Sequence, residues 1–345
     1  MAQSTTADSA ARNTQQAAGL AIVIPAFKSR HLAATLAAFA AQSDQRFRLY
    51  VADDCSPEDL KPIVAPFSNQ LNLVYHRFDQ NLGSSSLIGH WDRAIALSDE
   101  PWIWLFSDDD SVSPDCVAAF WSARARSKRD MCLHRYQCEC IDADGNPIPG
   151  IRPTAYPPEQ TWEQHLHATT HPKWGHLVVI QNVVFPRRLY EAEGGFSNYP
   201  LGMWSDIVTW ARWARRDGIL TMNQGLVYYR LHGGSIGGPL ISGSGNRCHF
   251  IRTASRMIED LRQLYQSAGT SMPIIRYLNW IARTFRYSNQ PLNRSERKEL
   301  SGMLKTAWPA GWGLRQIVFW WHACRPLIRQ YRSKFSISRF VSPNR

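Results

Sequence analysis

The sequence predicts an α/β protein: a mostly parallel sheet flanked by helices, followed by a basic helical C-terminal extension. Short apolar runs alternate with amphipathic helical patterns over the first part of the chain, and acidic or turn residues follow the runs at their C-terminal ends. Those two observations predict the sheet. The third is charge. The formal net charge is +11, yet residues 247–345 hold 18 Lys and Arg against 4 Asp and Glu, which leaves 21 against 24 for the rest. The basicity belongs to the C-terminal segment.

The elements follow in order. LAIVIPAF (20–27) reads as a strand ended by Pro25, and HLAATLAAFAAQ (31–42) as an amphipathic helix with Leu32, Leu36 and Phe39 on one side. RLYVADD (48–54) is a second strand closing on Asp53 and Asp54, LNLVYHRF (71–78) a third, and SLIGHWDRAIAL (86–97) a second helix. Asn81-Leu82-Gly83 forms a turn between them, where Gly83 permits positive φ and close approach by a ligand. A fourth strand, Trp102 to Phe106, is apolar throughout, as in a strand buried on both faces. Ligands of open α/β sheets bind beyond the carboxyl ends of the strands. Pro25, Asp53, Asp54, Asn81 and the acids after the fourth strand all fall on that edge.

Those acids are Asp108, Asp109 and Asp110, separated from the strand by Ser107 alone. Three adjacent carboxylates at the mouth of a buried strand repel one another and are costly to ionise. A divalent cation removes the conflict, and hard oxygen ligands of this kind suit Mg²⁺ or Mn²⁺ bound together with a diphosphate. The plainer reading is a solvated loop in which Ser113 or Asp110 caps a helix starting near Pro114.

Composition limits the other readings. The chain has 345 residues, 44% of them apolar, enough for a full core. Residues 1–19 are polar, without the apolar stretch of a secretory signal, and read as a flexible tail. Seven cysteines without paired spacing suit a reducing compartment. Cys132 and His134 are expected on a strand, and Cys138 and Cys140 lack zinc-knuckle spacing. No nucleic-acid-reading motif accompanies the charge.

The ordered series VIPAF, VADDCSP, QNLGSSSLIGHWDRAIAL and LFSDDDSVSP resembles the family 2 glycosyltransferases of the nucleotide-sugar-binding GT-A fold, over residues 20–235. The resemblance implies a GT-A domain over residues 20–240, its nucleotide-sugar half at 20–125 and acceptor half at 126–240, with a basic helical region at 241–345. The implied nucleotide-binding set is Pro25, Ala26, Phe27, Asp53, Asp54, Asn81, Gly83 and Asp108. Pro25 to Phe27 would act through the main chain and Asp54 would contact the base. A carboxylate there accepts the imide N–H of uracil, so a UDP-sugar is the donor expected. Family members often carry Tyr-Asn where this chain has Phe27-Lys28.

Registered on Pro114, the family's metal-binding aspartate falls on Asp109, with Asp110 binding directly or through water. Reading Asp108 and Asp110 as the pair is the alternative, and the sequence leaves it open. In the second half, GGFSNYPLGMWSD places Asp206 where the resemblance puts the catalytic base, at a helix start expected to keep it ionised. Simple N-capping is the alternative role. Ser205 stands where most members have Glu. Trp210 and Trp213, at i and i+3, read as core. YYRLHGGS resembles a segment closing over the diphosphate, with His232 as a metal ligand or phosphate contact.

The implied activity is inverting transfer of a sugar to a glycan or lipid-linked saccharide acceptor in bacterial cell-surface polysaccharide assembly, at the cytoplasmic side of the membrane. A sugar-nucleotide pyrophosphorylase would need a Gly-rich basic loop that IPAFKSRH lacks. A catalytically inactive membrane-docked scaffold would not be expected to retain the triplet and Asp206.

LRQIVFWWHACRPLIRQYR (314–332) is two-sided on a helical wheel, its apolar residues flanked by arginines. That composition suits an interfacial helix on anionic lipid; packing on the catalytic domain or on another protomer is the alternative. Salt-sensitive binding to phosphatidylglycerol vesicles is expected, lost on deletion of residues 310–345. Equal co-sedimentation of truncated and full-length protein at low salt would show that the tail is not the anchor.

Overall fold

The computed structural model describes residues 19–149, 151, 154–171, 176–232, 247–285 and 293–307. The amphipathic segment at 314–332 and the polar N-terminal tail up to residue 18 lie outside the described residues. The chain divides into two compact units, one of residues 1–169 and 175–232, the other of residues 170–174 and 233–345.

The first unit carries a nine-stranded sheet. Its elements in chain order are β1 (Leu20–Ala26), α1 (Leu32–Ala40), β2 (Arg48–Asp53), the single turn α2 (Lys61–Val64), β3 (Leu73–Arg77), α3 (Leu87–Ile95), β4 (Trp102–Leu105), β5 (Ser111–Val112) and α4 (Cys116–Arg126). There follow β6 (Leu133–Ile141), β7 (Glu159–Gln160), α5 (Trp162–Thr169), β8 (Val183–Pro186), α6 (Arg187–Ala192), α7 (Ser205–Trp213) and β9 (Ile219–Arg230).

Strand order is β3-β2-β1-β4-β8-β6-β9-β5, with β7 paired to β9. The first four strands are parallel. β8 then runs antiparallel between β4 and β6, β6 and β9 are parallel, and the short β5 and β7 are antiparallel to β9. β1 and β4 are buried along nearly their whole length, which accounts for their unbroken apolar sequences.

β1 does not stop at Pro25. It continues to Ala26, paired with β2 through Ala26 and Asp53. Its pairing with β4 ends at Val23 and Leu105, so the missing proline N–H falls beyond that ladder. Neither Ser113 nor Asp110 caps α4; Asp115 stands at the N-cap and makes no side-chain cap. Ser113 Oγ instead accepts the Leu226 amide at 2.8 Å. Ser86 does cap α3, accepting the Gly89 amide at 3.1 Å.

The core beneath the site is aromatic. Phe39 of α1 meets Trp104 and Phe106 edge-on, at ring separations of 5.7 and 5.0 Å, and Trp104 stacks on Tyr136 at 4.6 Å. The Trp104 indole N–H donates to Gln181 O at 2.7 Å. Gln181 turns its own amide toward Asp110, so one chain of contacts runs from the core to the carboxylate triplet. Trp210 and Trp213 are buried, their rings 5.4 Å apart. His134 lies on β6, edge-on to Trp102 and Phe120, and burial lowers its pKa to about 4. It is a neutral core residue. The described cysteines are free thiols.

β9 bends at Gly225, where φ is +82° and an added Cβ would sit 2.9 Å from the Tyr136 ring. The β6–β9 register shifts opposite this point, between Arg135 and Gln137, as a bulge requires. The re-aimed strand ends on Arg230, next to the triplet.

The second unit contains α8 (Arg247–Ser267), α9 (Ile274–Phe285) and α10 (Arg294–Ala307). Ile251, Ala254, Met257, Ile258 and Leu261 are buried at helical spacing on α8, and the Tyr265 and Tyr277 hydroxyls meet at 3.1 Å. A reciprocal capping box starts α10: Glu296 accepts the Asn293 amide at 2.8 Å, and Asn293 Oδ1 accepts the Glu296 amide at 2.9 Å. Among the described residues no helix is long and apolar enough to cross a membrane.

Candidate active site

Asp53 and Asp54 close β2 and serve two different loops. Asp53 is fully buried. Its Oδ1 accepts the Ser56 amide at 2.8 Å, and its Oδ2 accepts the Tyr75 hydroxyl and the Arg77 guanidinium, each at 2.7 Å. Ser56 Oγ in turn donates to Phe27 O at 2.8 Å.

Asp54 anchors the turn at Asn81. Its Oδ1 accepts the Leu82 amide at 2.8 Å and a hydrogen bond from Arg93. Its Oδ2 accepts the Gly83 amide at 2.8 Å and Asn81 Nδ2 at 2.9 Å. A carboxylate has about four acceptor positions, and all are engaged. The expected contact of Asp54 with a base therefore has no open lone pair here, because the carboxylate holds the loop instead. His90 Nδ1 is 3.4 Å away, but burial lowers its pKa to about 4, so Arg93 supplies the counter-charge. Gly83 is also corrected. Its φ is not positive, and it is Asp54 that needs the space: an added Cβ would stand 2.6 Å from Oδ2.

The triplet at the end of β4 diverges. Asp108 Oδ2 accepts the amides of Phe27 and Lys28, both at 2.8 Å. The main-chain N–H groups of the β1–α1 loop are thus spent on the protein, and Phe27 O on Ser56. What Phe27 offers to solvent is its ring, 41% exposed, in place of the main-chain contact expected of it. Pro25 and Ala26 lie beneath this loop in β1. Burial, then Asp109, push the Asp108 carboxyl up to about 6, against the lowering effect of the two amides.

Asp110 turns inward. Its Oδ1 accepts the Arg230 amide at 2.6 Å, its Oδ2 is bonded by Ser107 and Gln181, and its carbonyl accepts Thr35 Oγ1 at 2.7 Å. Burial and the neighbouring Asp109 raise it well above the ordinary carboxylate range. With both oxygens hydrogen-bonded, Asp110 locks β4 to β9.

Asp109 meets the cations. Its Oδ2 lies 2.9 Å from His232 Nε2 and 3.7 Å from Lys28 Nζ. Arg230 Nε donates to Asp109 O at 2.7 Å while Nη1 donates to Asp142 O and Ala143 O. Among the described residues no three His, Cys, Asp or Glu side chains converge as a ready cation cage. Asp109 and His232 nevertheless offer one carboxylate oxygen and one imidazole on the same side, and Mg²⁺ or Mn²⁺ held with a diphosphate needs few protein ligands.

Asp206 occupies the first turn of α7. Trp204, just before that helix, has left-handed φ and ψ of 62° and 9°, and Leu201 has φ of 57°. Such backbone in non-glycine residues is costly and concentrates at functional sites. Asp206 Oδ1 accepts the Ile207 amide at 2.8 Å. Burial nevertheless raises its pKa from 3.8 to about 7, so the helix start does not keep it fully ionised as expected. Burial, then Asp110, Asp109 and Asp206, push the half-buried Tyr229 phenol up.

Residues 21–175 match the family model described as glycosyl transferase family 2. This segment belongs to glycosyl transferase family 2. Asp206, Arg230 and His232 lie beyond the match. The structure resembles S. aureus TarS residues 1–349 in complex with UDP-GlcNAc, with a TM-score of 0.59, 14% identity, and coverage of 91% of this chain and 87% of that one. The same protein in complex with UDP gives a TM-score of 0.56 at 14% identity, with the same coverage of 91% and 87%. A longer TarS structure gives 0.57 at 15%, covering 92% of this chain but 53% of that one. No curated protein matches the chain. At these identities the likeness is one of fold, and the fold is that of the GT-A glycosyltransferases.

Sequence reading overlooked several residues of this family 2 site. Arg230 carried a signal, since it stands two residues before His232 at the end of a strand whose side chains alternate with period two. Gln181, Thr35 and Ser107 carried none, because each acts through contacts that only the fold makes.

Gly83→Ala is expected to lower stability by about 1–3 kcal/mol through overpacking against Asp54, read as an earlier urea midpoint. An unchanged midpoint would show that the turn gives way freely.

Proposed function

We propose that the chain is an inverting glycosyltransferase that takes a sugar from a nucleoside-diphosphate sugar, with a UDP-sugar as the first donor to test. The observation that supports it most is the pairing of Asp109 with His232, 2.9 Å apart, beyond the carboxyl end of β4 in a GT-A sheet, on the side where open α/β folds bind ligands. The complexes of TarS with UDP and UDP-GlcNAc add support by fold analogy.

In this reading Asp109 and His232 are the residues that would hold Mg²⁺ or Mn²⁺. Bound there, the cation offsets the charge that develops on the leaving diphosphate. Asp108 keeps the β1–α1 loop in shape, and Asp110 with Arg230 fixes the height of Asp109 over the sheet. Asp206 accepts the proton of the acceptor hydroxyl as its oxygen bonds to C1 from the face opposite the departing diphosphate, and the C1–O bond to the diphosphate breaks. For the acceptor, a glycan or lipid-linked saccharide is the class proposed.

Calorimetry of UDP with Mn²⁺, with EDTA, and with Asp109→Asn tests the metal role. Affinity is expected to fall in the second and third cases; equal affinity in all three would sink it.

Asp206 gives the pH test. A base with a pKa near 7 must be ionised to work, so transfer should rise with pH along a limb centred near 7 and level off above it. Asp206→Asn should keep donor binding and lose transfer by a factor on the order of 10² to 10⁴. Stability has the opposite sign. A carboxyl raised in the folded state contributes fully below about pH 4, and that contribution is lost as pH rises to 7. Asp206→Asn should therefore gain stability over wild type at pH 8, with the gain shrinking toward pH 4. Unchanged transfer in the variant would leave Asp206 as a helix-start residue only.

A further inference from the structure

The β1–α1 loop carries Lys28, Arg30 and His31 in four residues, and two of these side chains turn to the triplet. Lys28 Nζ is 3.7 Å from Asp109 Oδ2. The His31 ring lies 5.1 Å from the His232 ring, and His232 itself is 2.9 Å from Asp109. Lys28 and His232 thus share one carboxylate, with the His31 ring packed beside His232.

The other acids on this side are occupied. Asp108 is bound by two loop amides and Asp110 by Arg230, Ser107 and Gln181. Glu58 accepts Ser29 Oγ. The loop is rigid where it matters, since Asp108 and Ser56 fix the main chain of Phe27 and Lys28.

His31 has a buried Nε2 with no hydrogen-bond partner among the described residues. It stands at the N-cap of α1 yet makes no side-chain cap, and the first turn of α1 holds no acidic residue. A buried ring nitrogen left without a partner is a cost unless something fills it. The arrangement has a surplus of donors over acceptors. A group with several anionic oxygens, brought in from solvent, would correct it.

We infer that Lys28 and His31, seated beside His232, form a resident collar of donors that binds the donor diphosphate directly, alongside any divalent cation at Asp109. The inference rests on the nucleotide-sugar reading above and adds to it a part of the diphosphate grip that does not depend on metal. The ammonium also occupies part of the Asp109 carboxylate that a cation would use, so the two compete there while both favour the diphosphate.

Calorimetry on the full chain in EDTA, with UDP and uridine as probes, tests the collar. Lys28→Met keeps the aliphatic stem and removes the charge. His31→Phe keeps a ring against His232 and removes the nitrogens. Wild type should bind UDP more tightly than uridine without metal, and each variant should lose UDP affinity by a factor on the order of ten, as for a charge-assisted hydrogen bond, with uridine affinity unchanged. Raising salt should narrow the gap between UDP and uridine for wild type more than for Lys28→Met.

Variants that bind UDP as wild type does in EDTA would overturn the collar. So would an equal loss for uridine, which would mark a misshapen base site. If wild type binds UDP with Mn²⁺ but not in EDTA, the donor reading stands and the collar fails. If wild type binds neither UDP nor GDP under any of these conditions, the donor reading fails and the collar with it.

Discussion

Mutual repulsion among Asp108, Asp109 and Asp110 is the constraint around which the site is built. Three carboxylates in a row cannot all be ionised, desolvated and unpartnered. The protein resolves this by sending them to three places. Asp108 goes to the amides of the β1–α1 loop, Asp110 goes inward to β9 and Gln181, and Asp109 goes outward to His232 and Lys28. Each destination belongs to a different element. The repulsion that seemed to demand a cation therefore first ties β1, β4, β9 and the turn before β8 into one frame, and leaves a single carboxylate for chemistry.

A second buried acid does for the neighbouring loop what Asp110 does for β9. Asp54 collects the Leu82 and Gly83 amides, Asn81 and Arg93, and the Arg93 guanidinium lies 3.9 Å over the Phe78 ring. Taking a carboxylate out of water costs several kcal/mol unless it is paired and fully hydrogen-bonded. Asp54 meets both conditions. The same economy makes Gly83 necessary, since only a residue without Cβ lets its amide approach the carboxylate. Acids that read from sequence as ligand contacts can thus be spent on the scaffold that shapes the pocket.

The parallel half of the fold was legible because β1, β2 and β4 are buried along nearly their whole length and their apolar runs say so, while β3 is only partly covered and was legible from its β-branched and aromatic residues. Asp109 and Asp206 were legible as site candidates through spacing and resemblance. Less legible was how each carboxylate is used. Asp108, Asp109 and Asp110 have the same chemistry and adjacent positions, and only the path of β9 decides which one faces Arg230. That path depends on the Gly225 bulge, whose need comes from Tyr136 and Cys116 in other elements. The antiparallel insertion of β8 was likewise hidden, since VVFP is apolar in either direction. Ser113 looked like a cap because serine before proline usually is one, but a β-bridge to β9 claimed its hydroxyl.

Asp206 shows which of two local effects wins. A helix N-terminus stabilises an anion by about 0.3–1 kcal/mol, less than the roughly 1.4 kcal/mol that corresponds to one pKa unit. It cannot hold down a carboxyl that burial moves from 3.8 to about 7. A strongly ionised carboxylate would be a weak base, whereas one near 7 is matched to the pH at which it must accept a proton. The strained residues before it bear on the same point. Trp204 and Leu201 turn the chain sharply enough to start α7 against the buried face of the unit, with Ser205 fully enclosed and Asp206 half-buried. An exposed helix start would give an ordinary aspartate. Burial of the carboxyl at this helix start, against one opposing amide from Ile207, is what raises its proton affinity.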